Sequence, residues 1–254
     1  MFPAASAEAA ANLSLPSMKR FFDAELDLLR SHLIDMGQKA VEQVRRALRA
    51  LEDRDVVLAQ QVRDLDDELD QLEVAIDAEV VSYITLRAPV ARELRLVIVG
   101  MKASHDLERI GDEANSIAKR VQRIAAENPS PLHPDIPVLA RKAIQQVQDA
   151  IDSFLRMDDL QAVGICQRDK EIDKLHKQVT RQLAAQIREY PEQVTSLLEL
   201  AFVVRSIERI ADHAVNIAEE VIFLLRGKDI RHDKALLREM GAGAVPAGSE
   251  APPL

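Results

Sequence analysis

Leu107, Ile110, Ala114, Ile117, Val121 and Ile124 step along the chain by three and four residues in alternation, and Ile207, Ile210, Ala214, Ile217, Val221 and Leu224 repeat the same steps. This period lays one apolar stripe along one side of an α-helix, the pattern of a seam between packed helices. Facing stripes occur earlier in each half, at Val62, Leu65, Leu69, Leu72 and Ile76 and at Ile165, Ile172, Leu175 and Val179. Prolines punctuate these runs, because proline lacks the amide donor and clashes inside a helix. Between residues 18 and 227 they stand only at Pro89, Pro129, Pro131, Pro134, Pro137 and Pro191. The cluster PSPLHPDIP reads as a linker, and the isolated Pro89 and Pro191 each suit the first turn of a new helix. The pattern predicts three long helices per half, at about 18–51, 55–86 and 89–127 and at about 136–157, 158–189 and 191–226. Asp55 and Asp158 suit the N-cap, where a short carboxylate accepts from the first-turn amides.

The halves are copies of one unit. Aligning 106–120 (DLERIGDEANSIAKR) with 206–220 (SIERIADHAVNIAEE) gives identities at Glu108/Glu208, Arg109/Arg209, Ile110/Ile210, Asp112/Asp212, Ala114/Ala214, Ile117/Ile217 and Ala118/Ala218. A second match, displaced by 103, pairs Asp66, Glu68, Leu69, Asp70 and Leu72 with Asp169, Glu171, Ile172, Asp173 and Leu175. Self-similarity at a fixed displacement is the signature of a structural repeat. The expected fold class is all-α, a tandem repeat of two three-helix bundles at 18–128 and 136–227, joined by a linker at 129–135. A disordered leader is expected at 1–17, and a flexible tail with nothing to pack at 228–254, ending in GAGAVPAGSEAPPL.

Composition narrows this picture. Hydrophobic residues make up 47% of the 254, aromatics only 3% with no Trp, so the core is built from Leu, Ile, Val and Ala, which favours helix on helix. A net charge of −9 with few aromatics offers neither a footprint for nucleic-acid phosphates nor stacking platforms for bases. The leader lacks the basic and apolar regions of a secretory signal, and no run approaches the roughly 18 apolar residues of a membrane span. A soluble, cytoplasmic protein is expected. The single cysteine, Cys166, reads as a small buried apolar residue.

Candidate chemistry lies in the carboxylates. Asp66 with Asp70 and Glu108 with Asp112 in the first half, then Asp169 with Asp173 and Glu208 with Asp212 in the second, are spaced i, i+4, which puts each pair on one helix face. Two such helices side by side converge four carboxylates, a ligand set for Fe, Mn, Mg or Ca. The competing reading is a solvated charged face, since Glu108 and Asp112 fall beside the apolar stripe rather than on it. Like-charged i, i+4 pairs cost roughly 0.2 to 0.5 kcal/mol each and recur here in both copies, with Glu73 extending the ridge of Asp66 and Asp70. The residues leave the two readings balanced. His176, three residues after Asp173, offers a nitrogen ligand to the second site, but its repeat counterpart is Glu73 and a lone histidine at a bundle rim is more often solvated; His105 and His213 beside the motifs read the same way, and Arg109 and Arg209 as partners in helix-to-helix ion pairs. The inward Glu-x-x-His pairs of a buried di-metal bundle are missing, as are a phosphate loop and a Ser-His-Asp or Cys-His set. An enzyme is therefore not expected. A metal-free helical scaffold is the alternative, and a ferritin-like metal-dependent enzyme or iron store a more distant one.

The segments MKASHDLERIGDEANSIA (101–118), RSIERIADHAVNIAEE (205–220), RAPVARELR (87–95) and MKRFFDAELDLL (18–29) resemble the PhoU family, over about residues 18–227. That resemblance implies two three-helix bundles related by a pseudo-twofold axis. It implies that Asp66, Asp70, Glu108 and Asp112, and Asp169, Asp173, Glu208 and Asp212, are ligands of surface multinuclear iron or zinc clusters. It further implies a cytoplasmic homodimer that negatively regulates phosphate uptake and the phosphate regulon, through contact with the transporter ATPase subunit and a sensor histidine kinase. Two departures stand out: RAP at 87–89 where the family more often has RQP, and Glu113 and Ser116 in the first copy where the second has the family-like His213 and Asn216.

Overall fold

The computed structural model describes residues 19–126, 131–231, 237 and 240, and among these every regular element is helical. The order is α1 (Lys19–Asp53), α2 (Val56–Asp64), α3 (Asp66–Arg87), α4 (Ala91–Ala126), α5 (Asp135–Arg156), α6 (Asp159–Glu189), a single 3₁₀ turn (Pro191–Gln193) and α7 (Val194–Arg226). The expected leader at 1–17, residues 129 and 130 of the linker and most of the tail lie outside the described residues.

Local chemistry sets the boundaries. Asp55 caps α2 by accepting from the amides of Val57 and Leu58 at 2.9 and 3.0 Å, and Asp158 caps α6 by accepting from that of Gln161 at 2.9 Å. At the other ends, α3, α5 and α7 stop on left-handed residues, Ala88, Met157 and Gly227. Only at Gly227 is that conformation free of a Cβ penalty. Pro89 precedes α4 by two residues and Pro191 opens the 3₁₀ turn leading into α7.

One expected helix is two. The segment predicted at 55–86 breaks at Leu65, whose carbonyl accepts from the Glu68 amide at 3.2 Å and from Gln43 Nε2 at 2.8 Å. In the second repeat α6 runs unbroken through the corresponding place. There the matching glutamine, Gln146, donates instead to Asp169 Oδ1 at 3.1 Å.

The helices α1, α2, α3 and α4 make the first bundle, and α5, α6 and α7 the second. All twelve residues of the two leading stripes, from Leu107 to Ile124 and from Ile207 to Leu224, are buried. So are Val62, Leu69 and Ile76 opposite α4, and Ile165, Ile172 and Val179 opposite α7, while Leu72 and Leu175 are partly buried. The apolar core does not stop at the repeat boundary, because α4 and α7 pack along each other as a shared spine and α1 also meets α5.

The spine carries the twofold relation in its side chains. Lys102 bonds Glu220 at 2.9 Å, Asp106 bonds His213 and Asn216 at 2.9 and 3.0 Å, and Glu113 pairs with Arg209 at 2.5 Å. Further along, the Arg120 guanidinium lies 4.3 Å over the Phe202 ring. Adding 100 to Lys102 and subtracting 100 from Glu220 gives Phe202 and Arg120, so one contact is the pseudo-symmetric image of the other, and α4 and α7 run antiparallel. Beyond Gly227 the expectation of a tail with nothing to pack is corrected in part: Ile230 and Met240 are buried, and Leu237 packs on the core.

Candidate metal centre

In the first repeat α3 supplies Asp66 and Asp70, and α4 supplies Glu108 and Asp112. These four carboxylates act on one another. Burial raises the affinity of Asp66 for its proton against a hydrogen bond from Asn115, and the charges of Asp112 and Asp70 raise it further. Asp70 is raised by burial and then by Asp112. Glu108, whose side chain is 12% exposed, is pushed up to about 7, first by burial and then by Asp112, with Arg109 opposing. Its Oε2 is enclosed and accepts no hydrogen bond; Arg109 Nε stands 3.3 Å away.

In the second repeat α6 supplies Asp169 and Asp173, and α7 supplies Glu208 and Asp212. Asp212 is pushed up to about 6 by burial and then by Glu208, Asp169 and Asp173. Asp169 is raised by burial, against the Gln146 hydrogen bond, and by Asp173 and Glu208. The eight sequence-selected carboxylates thus form two groups of four, each bridging the last two helices of its bundle. Asp70 and Asp212 are exposed and the other six are half-buried.

Both groups crowd negative charge at the rim of their bundle, which favours the protonated form of Asp66, Asp70, Glu108, Asp169 and Asp212. A divalent cation with oxygen ligands supplies the missing positive charge, so these residues fit one. Local cations compensate only in part: Arg109 Nη1 donates to Asp112 at 2.8 Å, and Lys177 Nζ to Asp173 at 3.3 Å.

The arginines and histidines depart from their sequence readings. Arg209 makes the expected pair between helices, with Glu113, whereas Arg109 pairs within its own helix, with Asp112 and Glu108. His213 turns away from the acidic group and bonds Asp106 across the spine. His105, read as a solvated side chain, meets Glu73 Oε1 at 2.9 Å, and Glu73, His105 and Glu108 each bring a ligand atom within 4.8 Å of the others. The signal for this set was the i, i+3 spacing of Asp70 to Glu73 and of His105 to Glu108, which shares a helix face as i, i+4 does. Cys166 is buried, and burial pushes its thiol up to about 12, as befits an inert core residue.

Comparison with known proteins agrees along both repeats. The model of the PhoU domain matches residues 33–121 and 136–221. The phosphate-specific transport system accessory protein PhoU homolog of Pseudomonas aeruginosa is 43% identical over 212 residues, covering 83% of this chain and 88% of its own length. The phosphate-specific transport system accessory protein PhoU of Escherichia coli K12 is 37% identical over 211 residues, covering 83% and 88%. Among solved structures, PhoU from Pseudomonas aeruginosa matches with a TM-score of 0.79 at 42% identity, over 82% of this chain and all of that one. The phosphate transport system regulatory protein PhoU from Streptococcus pneumoniae matches with a TM-score of 0.77 at 25% identity, over 82% and 98%.

Proposed function

This chain belongs to the PhoU family, and from that premise we propose that it is an accessory protein of a phosphate transport system that acts by occupying partners rather than by catalysis. The observation that carries the reading is the match to such accessory proteins through both repeats. In this account the protein is a negative regulator of phosphate uptake and of the phosphate regulon. It works in the cytoplasm, as a homodimer, between the ATPase subunit of the transporter and a sensor histidine kinase. Two similar bundles fixed to each other offer two related faces, and joining two weak contacts raises effective affinity without new chemistry. Among the described residues no helix is long and apolar enough to cross a membrane, which suits recruitment to the transporter through protein contacts.

Metal belongs to the same proposal. Asp66, Asp70, Glu108 and Asp112 hold one cluster of iron or zinc, and Asp169, Asp173, Glu208 and Asp212 the other. Cations held by these residues would join α3 to α4 and α6 to α7 electrostatically, and would supply the positive charge that the crowded carboxylates lack. Tagged protein recovered from phosphate-replete cells is expected to bring the transporter ATPase subunit with it. Recovery of the protein without any component of the transporter or its sensor kinase, under conditions that retain weak complexes, contradicts the adaptor role.

A further inference from the structure

Four cations recur along α6, Lys170, Lys174, Lys177 and Arg181, at steps of four, three and four residues. At 3.6 residues per turn these steps hold all four in one narrow stripe about 17 Å long. The stripe lies on the side of the helix opposite Ile172, Val179 and Leu183, which are buried, and all four cations are exposed. On the flank toward α5 charge is balanced, Lys142 pairing with Glu171 and Arg168 with Asp149. On the stripe it is not. Of the four, Lys177 alone has a counter-ion, Asp173 at 3.3 Å, and the side chains of Lys170, Lys174 and Arg181 make no ion pair or hydrogen bond among the described residues.

Nothing in the fold asks for this stripe. The matching positions of α3, displaced by 103, hold Asp67, Gln71, Val74 and Ala78, and α3 buries the same side of its helix without a single cation on the outer one. The helix dipole favours cations in the last turn, whereas these four occupy the middle of a helix that runs from Asp159 to Glu189. Like charges three and four residues apart repel each other, so the arrangement works against the isolated helix. In a chain of net charge −9 it is a local reversal of sign, and an anionic surface laid along it relieves the repulsion.

We propose that the outer face of α6 rests on anionic phospholipid headgroups, held by Lys170, Lys174, Lys177 and Arg181. The stripe carries no large apolar side chain; the next residue in line, Ala184, is small and exposed. Specific protein interfaces centre on buried apolar or aromatic anchors, and this face offers none. A lipid surface asks only for charge, and each Lys or Arg brought near it adds to the attraction. No described helix is long and apolar enough to cross a membrane, and this contact needs no insertion. It brings the chain to the membrane by charge alone, where a weak lipid contact adds to weak protein contacts without competing for the same surface.

The test sediments the full chain with vesicles of equal parts phosphatidylglycerol and phosphatidylcholine, and with vesicles of phosphatidylcholine alone. Binding is expected to the first and not to the second, and it should vanish near about 1 M salt, where the screening length falls to about 3 Å. The triple variant Lys170→Gln, Lys174→Gln, Arg181→Gln, which leaves the Lys177 pair intact, should weaken binding to the anionic vesicles by roughly a hundredfold. Arg45→Gln, Arg92→Gln, Arg141→Gln makes the same change in net charge at exposed positions off the stripe and should bind much as the wild-type chain does. If both triple variants weaken alike, net charge and not the stripe governs binding, and the assignment is overturned. It is overturned equally if the wild-type chain stays in solution with the anionic vesicles at low salt. A photo-crosslinking residue in place of Ala184 is expected to label phospholipid in intact cells; label found only in a protein overturns the lipid reading in favour of an acidic partner.

Discussion

Glu108, Asp212 and Glu219 share a property that sets the pH response of the protein. Each is pushed above the usual carboxylate range, to about 7, 6 and 7, with burial as the first cause. For Glu108 the neighbouring charges are Asp112, Arg109, Glu73 and Asp70; for Glu219 they are Arg231, Asp229, Glu220 and Asp169. A carboxyl with a raised folded pKa binds its proton more tightly folded than unfolded, so its contribution is favourable at low pH and is lost as pH climbs from the unfolded value toward 7. Metal-free protein should therefore lose stability between pH 5 and 7.5, by about 1 kcal/mol for each such group once solvent screening is allowed for. Denaturant midpoints across that range measure it: Glu108→Gln should flatten the slope, and a midpoint that rises with pH would refute the assignment. At this scale the sequence disclosed the eight carboxylates through repeated i, i+4 spacing. It did not disclose that Asp106, Glu113 and Glu220 are buried, because they face the other bundle, and a heptad pattern within one helix is silent on which charged flank a second bundle will cover.

Among the elements, α4 and α7 do the same work with different packing. Gly111 of α4 lies against Leu69, and a Cβ at that glycine would overlap the Leu69 Cδ1 and come within 3.0 Å of Gln43 Oε1. The second repeat has Ala211 and Ile172 at the matching positions, both buried, so the methyl missing at 111 is balanced by the longer reach of leucine. Gly111→Ala gains about 1 kcal/mol of helix propensity and incurs about 1 to 3 kcal/mol of overpacking, a net loss. Adding Leu69→Ile should recover most of that loss, because it reproduces the pair of the second repeat. Equilibrium unfolding of the two single variants and the double variant checks this, and strictly additive costs would show that the two positions do not compensate. The helix count of the second repeat, the caps at Asp55 and Asp158 and both apolar seams were legible, since each depends on residues close in the chain. The break at Leu65 was not, because no proline or glycine marks it in the chain.

At the scale of the molecule the two repeats are joined by more than a linker. Their apolar core is continuous across α4 and α7, and Arg209–Glu113, His213–Asp106 and Lys102–Glu220 tie the motif-bearing helices together. His213 lies next to Asp212, and Glu113 next to Asp112, so the ties sit beside the acidic groups of both repeats. The internal repeat was plain in the sequence and predicted two like bundles; how tightly they share a spine was not, because seven identities in fifteen positions report common ancestry of the halves and not their docking. A pair of bundles that share one apolar core, with an acidic group on each, suits the proposed joining of partners, and the central claim is that it restrains the phosphate response in this way. Expression of phosphate-starvation genes in phosphate-rich medium, in a strain lacking this chain and any second copy, tests that claim most directly. The account predicts that those genes are switched on despite ample phosphate and are silenced again when the chain is restored; normal repression in the deletion strain would contradict it.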